Sequence, residues 1–205
     1  MNKVRPFPCV FGVKGFTKDQ IRYVFQENIE PIYLANVLRD YLKYCKSYGN
    51  YTSLVIFEKP NQISTLEEYH SKFWGILKEL SDLDYAKPVD SIPAELDTPM
   101  WEFSFNGELI FVVCTTPAHQ KRQSRRSTGF ILTFQPRWVF DDLLGSEEKA
   151  EVAFKTVRER LEKYDLISQS PYLGKYGDKN NREWKQYFLD DTNEINIKCP
   201  FHKLK

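Results

Sequence analysis

One segment constrains the fold of this chain more than any other, because it holds a densely charged loop between two apolar runs. Residues 109–114 and 130–134 are apolar runs of strand length. The intervening loop carries one histidine and four cations, which are His119, Lys121, Arg122, Arg125 and Arg126. The pattern predicts two buried strands that fix a cationic loop. Since loops held by a rigid scaffold often carry function, we expect the functional site here.

The remaining pattern predicts five helices and three further strands. Apolar residues at helical spacing predict helices at residues 17–29, 31–48, 65–80, 136–144 and 146–164. Further strands are predicted at residues 51–57, 101–105 and 184–189. The Asn106-Gly107 pair between two strands is a strong hairpin signal. The fold class that follows is α+β: a single domain over residues 1–205, with a mostly antiparallel sheet flanked by helices.

Two segments lack periodicity and are predicted to be loops. Residues 1–16 are interrupted by Pro6, Pro8, Gly12 and Gly15. Residues 84–100 contain three prolines, and a loop of this length within a compact domain is usually functional or mobile. We therefore expect the second segment to act as a lid.

Composition excludes several classes of function. A net charge of +1 over 205 residues disfavours nucleic-acid binding along the length of the chain. The sequence contains no apolar run long enough to span a membrane. The first residues are not followed by the apolar region of a signal peptide, so we expect a cytoplasmic protein. Its four cysteines are far apart and are expected to be reduced thiols.

His119 is the strongest candidate metal ligand in the sequence. It follows Pro117 in the loop and has cations as neighbours, which disfavour its protonation. A neutral imidazole is the form that binds a metal or a haem iron. The alternative, a loop histidine bonded to the backbone, stays open. The other two histidines, His70 and His202, have simpler interpretations at a helix boundary and near the C-terminus.

The arginines of the loop predict an anion-binding site. Arg122, Arg125 and Arg126 are three and four residues apart, so one helical turn would place them on one side. Guanidinium groups match carboxylates or phosphates in bidentate geometry. The ligand could be a nucleotide, RNA or the two propionates of a porphyrin. A solvated charged loop is the competing interpretation.

The cysteines near the two termini offer weaker signals. Cys199 and His202 have the spacing of half a zinc site, which Cys9 could join. Cys199 could alternatively supply a thiolate to a haem iron. Zinc sites usually show two such pairs, and this chain has one.

The chain resembles the YqcI/YcgG family over nearly its whole length. The resemblance rests on these motifs: Pro8-Cys-Val-Phe-Gly12, Phe73-Trp74, Trp101-Glu-Phe-Ser-Phe105, Thr116-Pro-Ala-His119 with Ser124-Arg-Arg126, and Cys199-Pro-Phe201. The family includes haem-dependent N-oxygenases that hydroxylate the guanidino group of arginine or a related precursor. The resemblance therefore implies haem b as cofactor, a small guanidine substrate and an external electron donor.

The resemblance also implies roles for single residues. His119 becomes the expected axial ligand of the haem iron, with Cys199 as the alternative. Arg122, Arg125 and Arg126 become candidate partners of the haem propionates. Trp101, Glu102 and Phe103 are predicted to bind the substrate, with Glu102 pairing with its cation, although alternation places Glu102 opposite the aromatic face. Core packing is the alternative interpretation of the aromatic pair.

The leading hypothesis is a haem-dependent N-monooxygenase, with a homodimer left open. The alternative is a protein without catalysis, either a haem carrier or sensor or a nucleotide-binding module. A carrier can fill both axial positions of the iron, whereas an oxygenase leaves one open.

Overall fold

The computed structural model describes residues 5–87, 89, 93, 95 and 97–194. Within them the elements follow the order α1 (Val10–Thr17), β1 (Ile21–Gln26), α2 (Pro31–Tyr48), β2 (Ser53–Glu58), α3 (Leu66–Asp82), β3 (Ser104–Phe105), β4 (Glu108–Thr115), β5 (Ile131–Pro136), α4 (Arg137–Leu143) and α5 (Glu147–Tyr164). Short 3₁₀ turns lie at Gln123–Arg125 and Glu183–Gln186. The predicted α+β class is confirmed.

The strands form one sheet in the order β1-β2-β5-β4-β3. β1 pairs with β2 in parallel, and every other pairing is antiparallel. β3, β4 and β5 form the predicted meander. Its hairpin turns at Asn106 and Gly107, which have φ angles of 52° and 78°, as the two central residues of a type I′ turn require.

One face of the sheet packs against α2 and α3 and forms the hydrophobic core. Leu54, Leu132 and Phe134 contribute from the strands, and Leu38 and Phe73 from the helices. α3 begins with a capping box in which Thr65 and Glu68 bond each other's backbone N–H groups. The predicted helices at 31–48, 65–80, 136–144 and 146–164 are confirmed, and the strands at 51–57 and 130–134 lie within two residues of β2 and β5.

The opposite face of the sheet looks toward α1, α4 and α5. Because side chains alternate along a strand, this face carries Ser53 and Val55 of β2, Val113 of β4 and Thr133 of β5. These side chains are small or short, and the helices do not close completely over them. A cavity remains between the two layers.

The N-terminal predictions were wrong. Residues 10–17 form helix α1 instead of a loop, and residues 21–26 form strand β1 instead of a helix. Ile21, Val24 and Phe25 match helical spacing, but the segment pairs in parallel with β2, which places Val24 toward the core and leaves Phe25 exposed. Gly15 lets α1 approach the turn that precedes β2, since a Cβ atom there would clash with the carbonyl oxygen of Tyr51.

The strand predicted at residues 184–189 was also wrong. The chain forms a 3₁₀ turn at Glu183–Gln186, and the aromatic side chains of Trp184, Tyr187 and Phe188 are buried. The segment touches the sheet through one backbone hydrogen bond, from the N–H of Cys114 in β4 to the carbonyl of Tyr187. The described residues between 84 and 100 lie outside helices and strands, in keeping with a loop. Among the residues that the structure describes, no helix combines the length and apolarity needed to cross a bilayer.

Candidate functional site

A cavity of about 530 Å³ separates the sheet from α1, α4 and α5. We call it the apolar cavity, because hydrocarbon and aromatic side chains make up most of its wall. Phe111, Phe140 and Phe154 bound one side, and Val55 and Val113 form part of the floor. Its volume lies within the range of pockets that enclose a cofactor or a drug-sized ligand.

Among the described residues of this wall, Cys9 contributes the one sulfur atom. It is the N-cap of α1, and its Sγ accepts a hydrogen bond from the N–H of Gly12 at 3.3 Å. The residue as a whole is exposed. Desolvation by the protein atoms near its sulfur raises the pKa of the thiol, while the N–H groups of Gly12 and Phe11 and the cations Arg125 and Arg160 act in the opposite direction. The thiol is therefore protonated unless a further positive charge enters the cavity.

The cavity wall offers few ligands for iron. Haem proteins use histidine, cysteine, methionine or tyrosine as axial ligands. Among the described residues that line the apolar cavity, Cys9 is the only one of these types. No group of three or more His, Cys, Asp or Glu side chains in the described part of the chain could hold a bare metal ion.

Arg125 places a buried positive charge beside the apolar cavity. Its Nη1 and Nη2 donate to the carbonyl oxygens of Tyr187 and Gln186 at 3.2 and 2.9 Å. Burial lowers the pKa of Arg125 to about 10, so the group stays charged at neutral pH. Because carbonyl groups only partly offset a full charge, this cation favours an anion in the cavity.

Arg122 also reaches the cavity wall, but it is anchored in the fold. Its Nε donates to the carbonyl of Asp190 at 2.8 Å and its Nη2 to Asn193 at 2.9 Å. Its Nη1 lies 3.9 Å from Oδ2 of Asp165. Arg126, in contrast, is exposed and lines a separate surface pocket. The structure therefore brings two of the three predicted arginines together and leaves the third apart.

Two aspartates that sequence reasoning missed hold the cationic loop in place. Asp191 accepts the backbone N–H groups of residues 120, 121 and 122 at 2.5 to 2.9 Å. The pKa of Asp191 is lowered: burial by itself would raise it, but the hydrogen bonds from these three N–H groups outweigh that effect. Asp165 accepts from the backbone N–H and the hydroxyl of Ser124 at 2.6 and 2.9 Å. Most of these donors are backbone N–H groups, which leave no spacing signal in the sequence.

His119 is fully buried and lies outside the wall of the apolar cavity. Its Nε2 is 2.8 Å from the carbonyl oxygen of Leu189, and its Nδ1 is 2.9 Å from the hydroxyl of Thr116. Nε2 therefore carries the proton. Burial lowers the pKa of His119 to about 4, and the cations Arg125 and Arg122 add to this effect. His119 as iron ligand stays a prediction, since binding would replace one of these two bonds.

None of the three residues predicted to bind substrate lines the apolar cavity. Trp101 and Phe103 belong to the hydrophobic core beneath α3, and neither lines the apolar cavity. Glu102 points the opposite way, as alternation predicted, and accepts two hydrogen bonds from Arg137 at 2.7 and 2.6 Å. Burial raises the pKa of Glu102 to about 7, and the nearby carboxylate of Glu183 adds to this shift. Substrate binding by these three residues remains a prediction.

The predictions for Cys199 and His202 fall outside the described residues. Cys45 and Cys114 are free and buried.

Comparisons with known proteins agree on one family. The model of the YqcI/YcgG family matches residues 1–202. The chain is 46% identical to the YqcI protein of Bacillus subtilis (strain 168), over all of this chain and 84% of that one. It is 44% identical to YcgG of the same organism, over 97% and 82% of the two chains. No solved structure gives a significant match.

A more distant relative carries a functional name. The chain is 30% identical to a Streptomyces lavendulae protein named "Putative N(omega)-hydroxy-L-arginine synthase DcsA", over 95% of this chain and 77% of that one.

Proposed function

Because the chain belongs to the YqcI/YcgG family, we propose that it is an oxygenase that hydroxylates a guanidino nitrogen of arginine or a related small molecule. The name of the Streptomyces lavendulae relative supports this substrate class. The observation that carries the proposal is the apolar cavity, whose wall holds a cysteine sulfur and a buried arginine. This combination suits a redox cofactor that has an apolar body and charged edges.

The residues of the apolar cavity fit haem b. The porphyrin body requires an apolar enclosure, which the phenylalanine and valine side chains provide. Its propionates require cations, and the wall includes Arg122, Arg125 and Arg158. When bound, a haem supplies an iron centre that activates dioxygen with electrons from an external donor. The overall reaction takes up dioxygen, two electrons and two protons, converts one N–H to N–OH and releases water.

Cys9 is the residue that we assign to hold the iron of a bound haem. A cysteine binds iron as the thiolate, so cofactor binding would release the thiol proton. The hydrogen bond from the N–H of Gly12 and the charge of Arg125 would both stabilise the negative sulfur. A thiolate in this position would supply electron density to the haem, which suits an oxygenase. His119 then serves to hold the cationic loop, and its assignment as ligand is the alternative that the test below addresses.

The cavity also has to exclude water from the reacting centre. α1, α4 and α5 partly cover the sheet, and the aromatic rings of Phe111 and Phe140 meet edge to face with centroids 5.5 Å apart. Such a wall limits the access of water and prevents electrons from being lost to side reactions.

The direct test is product analysis with haem-loaded protein. L-Arginine and a panel of smaller guanidines are incubated with dioxygen and a reducing system, and the products are weighed by mass spectrometry. The proposal expects a gain of one oxygen atom in at least one guanidine. Cys9→Ser should abolish this product, whereas Cys114→Ala, which removes a buried thiol from the opposite face of the sheet, should retain it. Full haem loading without any oxygenated product would instead support a haem carrier.

A further inference from the structure

Two polar side chains lie side by side on the face of the sheet that forms the floor of the apolar cavity. One step beyond the pairing of Leu54 with Phe134, the antiparallel register places Ser53 of β2 opposite Gln135 of β5. Both residues line the apolar cavity, and they are only 5% and 8% exposed. We call Ser53 and Gln135 the polar pair.

Each member of the polar pair has a side-chain oxygen without a hydrogen-bond partner among the residues that the structure describes. Nε2 of Gln135 donates to the carbonyl oxygen of Thr52 at 3.4 Å, which leaves Oε1 as an acceptor. Oγ of Ser53 makes no hydrogen bond within the described chain, and protein atoms seal off neither of the two oxygens. Because buried polar groups are nearly always hydrogen-bonded, two such oxygens that open into a cavity indicate a partner from outside the chain.

Apolar side chains flank the polar pair on both sides. Along the same row of the sheet, Ile21 of β1 lies opposite Ser53, and Phe111 of β4 lies opposite Gln135. Both flanking residues also line the apolar cavity. A few polar groups within an apolar wall fix the orientation of a ligand, and the low polarity around them strengthens each hydrogen bond.

The chemistry of the polar pair favours a ligand that donates hydrogen bonds. Oε1 of Gln135 can only accept, and the hydroxyl of Ser53 can accept as well as donate. Asp165 is the only carboxylate among the described residues of the cavity wall. Its oxygens already accept from Ser124, and Oδ2 lies 3.9 Å from Nη1 of Arg122. A planar group with several N–H donors therefore finds its free acceptors in the polar pair.

We infer that Ser53 and Gln135 bind the guanidino group of the substrate, with two of its N–H groups donating to Oγ and Oε1. The inference rests on the proposed function, because it takes the substrate to be a guanidine. Phe111, opposite Gln135, also lines an adjoining cavity of about 510 Å³, which gives a small substrate space beside a cofactor. Since Cys9 belongs to the helical layer, cofactor ligand and substrate would approach from opposite layers.

Isothermal titration of the haem-loaded protein with L-arginine tests this site. Gln135→Met keeps the length of the side chain and removes the acceptor, and Ser53→Ala removes the hydroxyl. Each should weaken arginine binding roughly tenfold, since about 1.4 kcal/mol, close to the lower limit for a hydrogen bond to a charged group, is tenfold in affinity. Unchanged affinity in both variants would overturn the inference and leave water as the partner of these oxygens, and a wild type that does not bind arginine would also overturn it.

Thr115→Val provides a matched control, because it too exchanges a polar for an apolar group in the wall of the same cavity. Thr115 is four residues along β4 from Phe111, roughly 13 Å from the row that contains the polar pair. Arginine binding should be unchanged in this variant. A loss as large as that in Ser53→Ala would overturn the assignment of the polar pair.

A charged acceptor at position 135 separates substrate binding from a structural role of Gln135. Gln135→Glu retains an acceptor but loses the bond from Nε2 to the carbonyl of Thr52, as Gln135→Met also does. Arginine should bind to Gln135→Glu at least as tightly as to the wild type, because a carboxylate is the stronger partner of a guanidinium. Equal weakening in Gln135→Glu and Gln135→Met would show a structural role and overturn the inference.

Product analysis of the same variants separates this inference from the proposed function. Arginine binding that weakens in Ser53→Ala and Gln135→Met, without any oxygenated product from the wild type, would support the polar pair and contradict the oxygenase. Oxygenated product whose arginine KM is unchanged in both variants would support the oxygenase and overturn the polar pair as its substrate site.

Discussion

The Nε2 atom of His119 lies 2.8 Å from the carbonyl oxygen of Leu189, and this contact joins the cationic loop to the segment that follows the last 3₁₀ turn. Arg125 makes two further bonds to carbonyls of the same segment, and Asp191 accepts the backbone of the loop in return. The loop and the C-terminal segment therefore hold each other in place. Residues that look like ligands in the sequence stabilise the wall of the apolar cavity in the structure.

The first prediction concerns acid stability and His119. Burial lowers the pKa of His119 to about 4 in the folded state. Between this value and the ordinary pKa of histidine, the unfolded chain binds a proton at His119 that the folded chain does not bind. Stability from this group is therefore present above the unfolded pKa and is lost as the pH falls toward 4. Between pH 7 and 5 we expect a loss on the order of 2 kcal/mol.

Urea unfolding of the wild type and of His119→Gln at both pH values measures this loss. Glutamine does not titrate, so the difference between the free energies of unfolding of the two proteins should be smaller at pH 5 than at pH 7. A gap that is constant with pH would show that His119 is not held neutral in the fold.

The second prediction concerns the close approach of α1 to β2. Gly15→Ala places a methyl group against the carbonyl of Tyr51 and should destabilise the protein by roughly 1–3 kcal/mol, the usual cost of overpacking. Gly75→Ala is the control, because a Cβ atom at this position in α3 meets no atom within 4 Å. Its higher helix propensity should stabilise the protein by up to about 1 kcal/mol. Thermal unfolding of both variants gives the comparison, and a stabilising Gly15→Ala would contradict the packing of α1.

The third prediction concerns the pH dependence contributed by Glu102. Burial and the carboxylate of Glu183 raise its pKa to about 7, although Arg137 acts against them, and Asp141 adds a smaller repulsion. Between the ordinary pKa of glutamate and about pH 7, Glu102 is therefore protonated in the folded state but ionised in the unfolded state. Stability from this group is fully present below the unfolded pKa and is lost as the pH rises through 7.

Chemical unfolding at pH 5 and pH 8 tests the Glu102 prediction. Glu102→Gln mimics the protonated acid and does not titrate. On going from pH 5 to pH 8, its free energy of unfolding should therefore rise relative to that of the wild type by on the order of 2 kcal/mol. The side chains that face Glu102 are retained in this variant, so the difference reports the removal of the Glu102 charge from the cluster. If the wild type gained stability over this range relative to Glu102→Gln, the paired form of Glu102 would have a lowered pKa instead.

The sequence predicted the helical and antiparallel parts of this fold well, because their signals are local. Thr65 and Glu68 cap α3, Asn106 and Gly107 define the hairpin, and Ser146 caps α5 by accepting from the N–H of Lys149. β1 was missed because its identity depends on a parallel partner more than 25 residues away. Segment 184–189 was misjudged because its aromatic residues do not alternate: Trp184, Tyr187 and Phe188 are three and four residues apart, and the segment makes one backbone hydrogen bond to β4 without forming a strand.

The candidate site was predicted in part. The motif around Pro8-Cys9 was recognised as a family feature, but its role was not, because the cavity forms only when α1 packs over the sheet. The loop cations were found, yet spacing could not show that Arg125 is buried while Arg126 is exposed. A 3₁₀ turn at Gln123–Arg125, instead of an α-helical turn, separates the two side chains.

The absorption spectrum of the ferrous carbon monoxide complex tests the central claim most directly, since it reports the axial ligand without requiring turnover. We predict that the haem-loaded wild type shows the long-wavelength Soret band of a thiolate-ligated haem. This band should disappear in Cys9→Ser and persist in His119→Gln and Cys114→Ala. A histidine-type spectrum in the wild type that is lost in His119→Gln and unchanged in Cys9→Ser would contradict the assignment of Cys9.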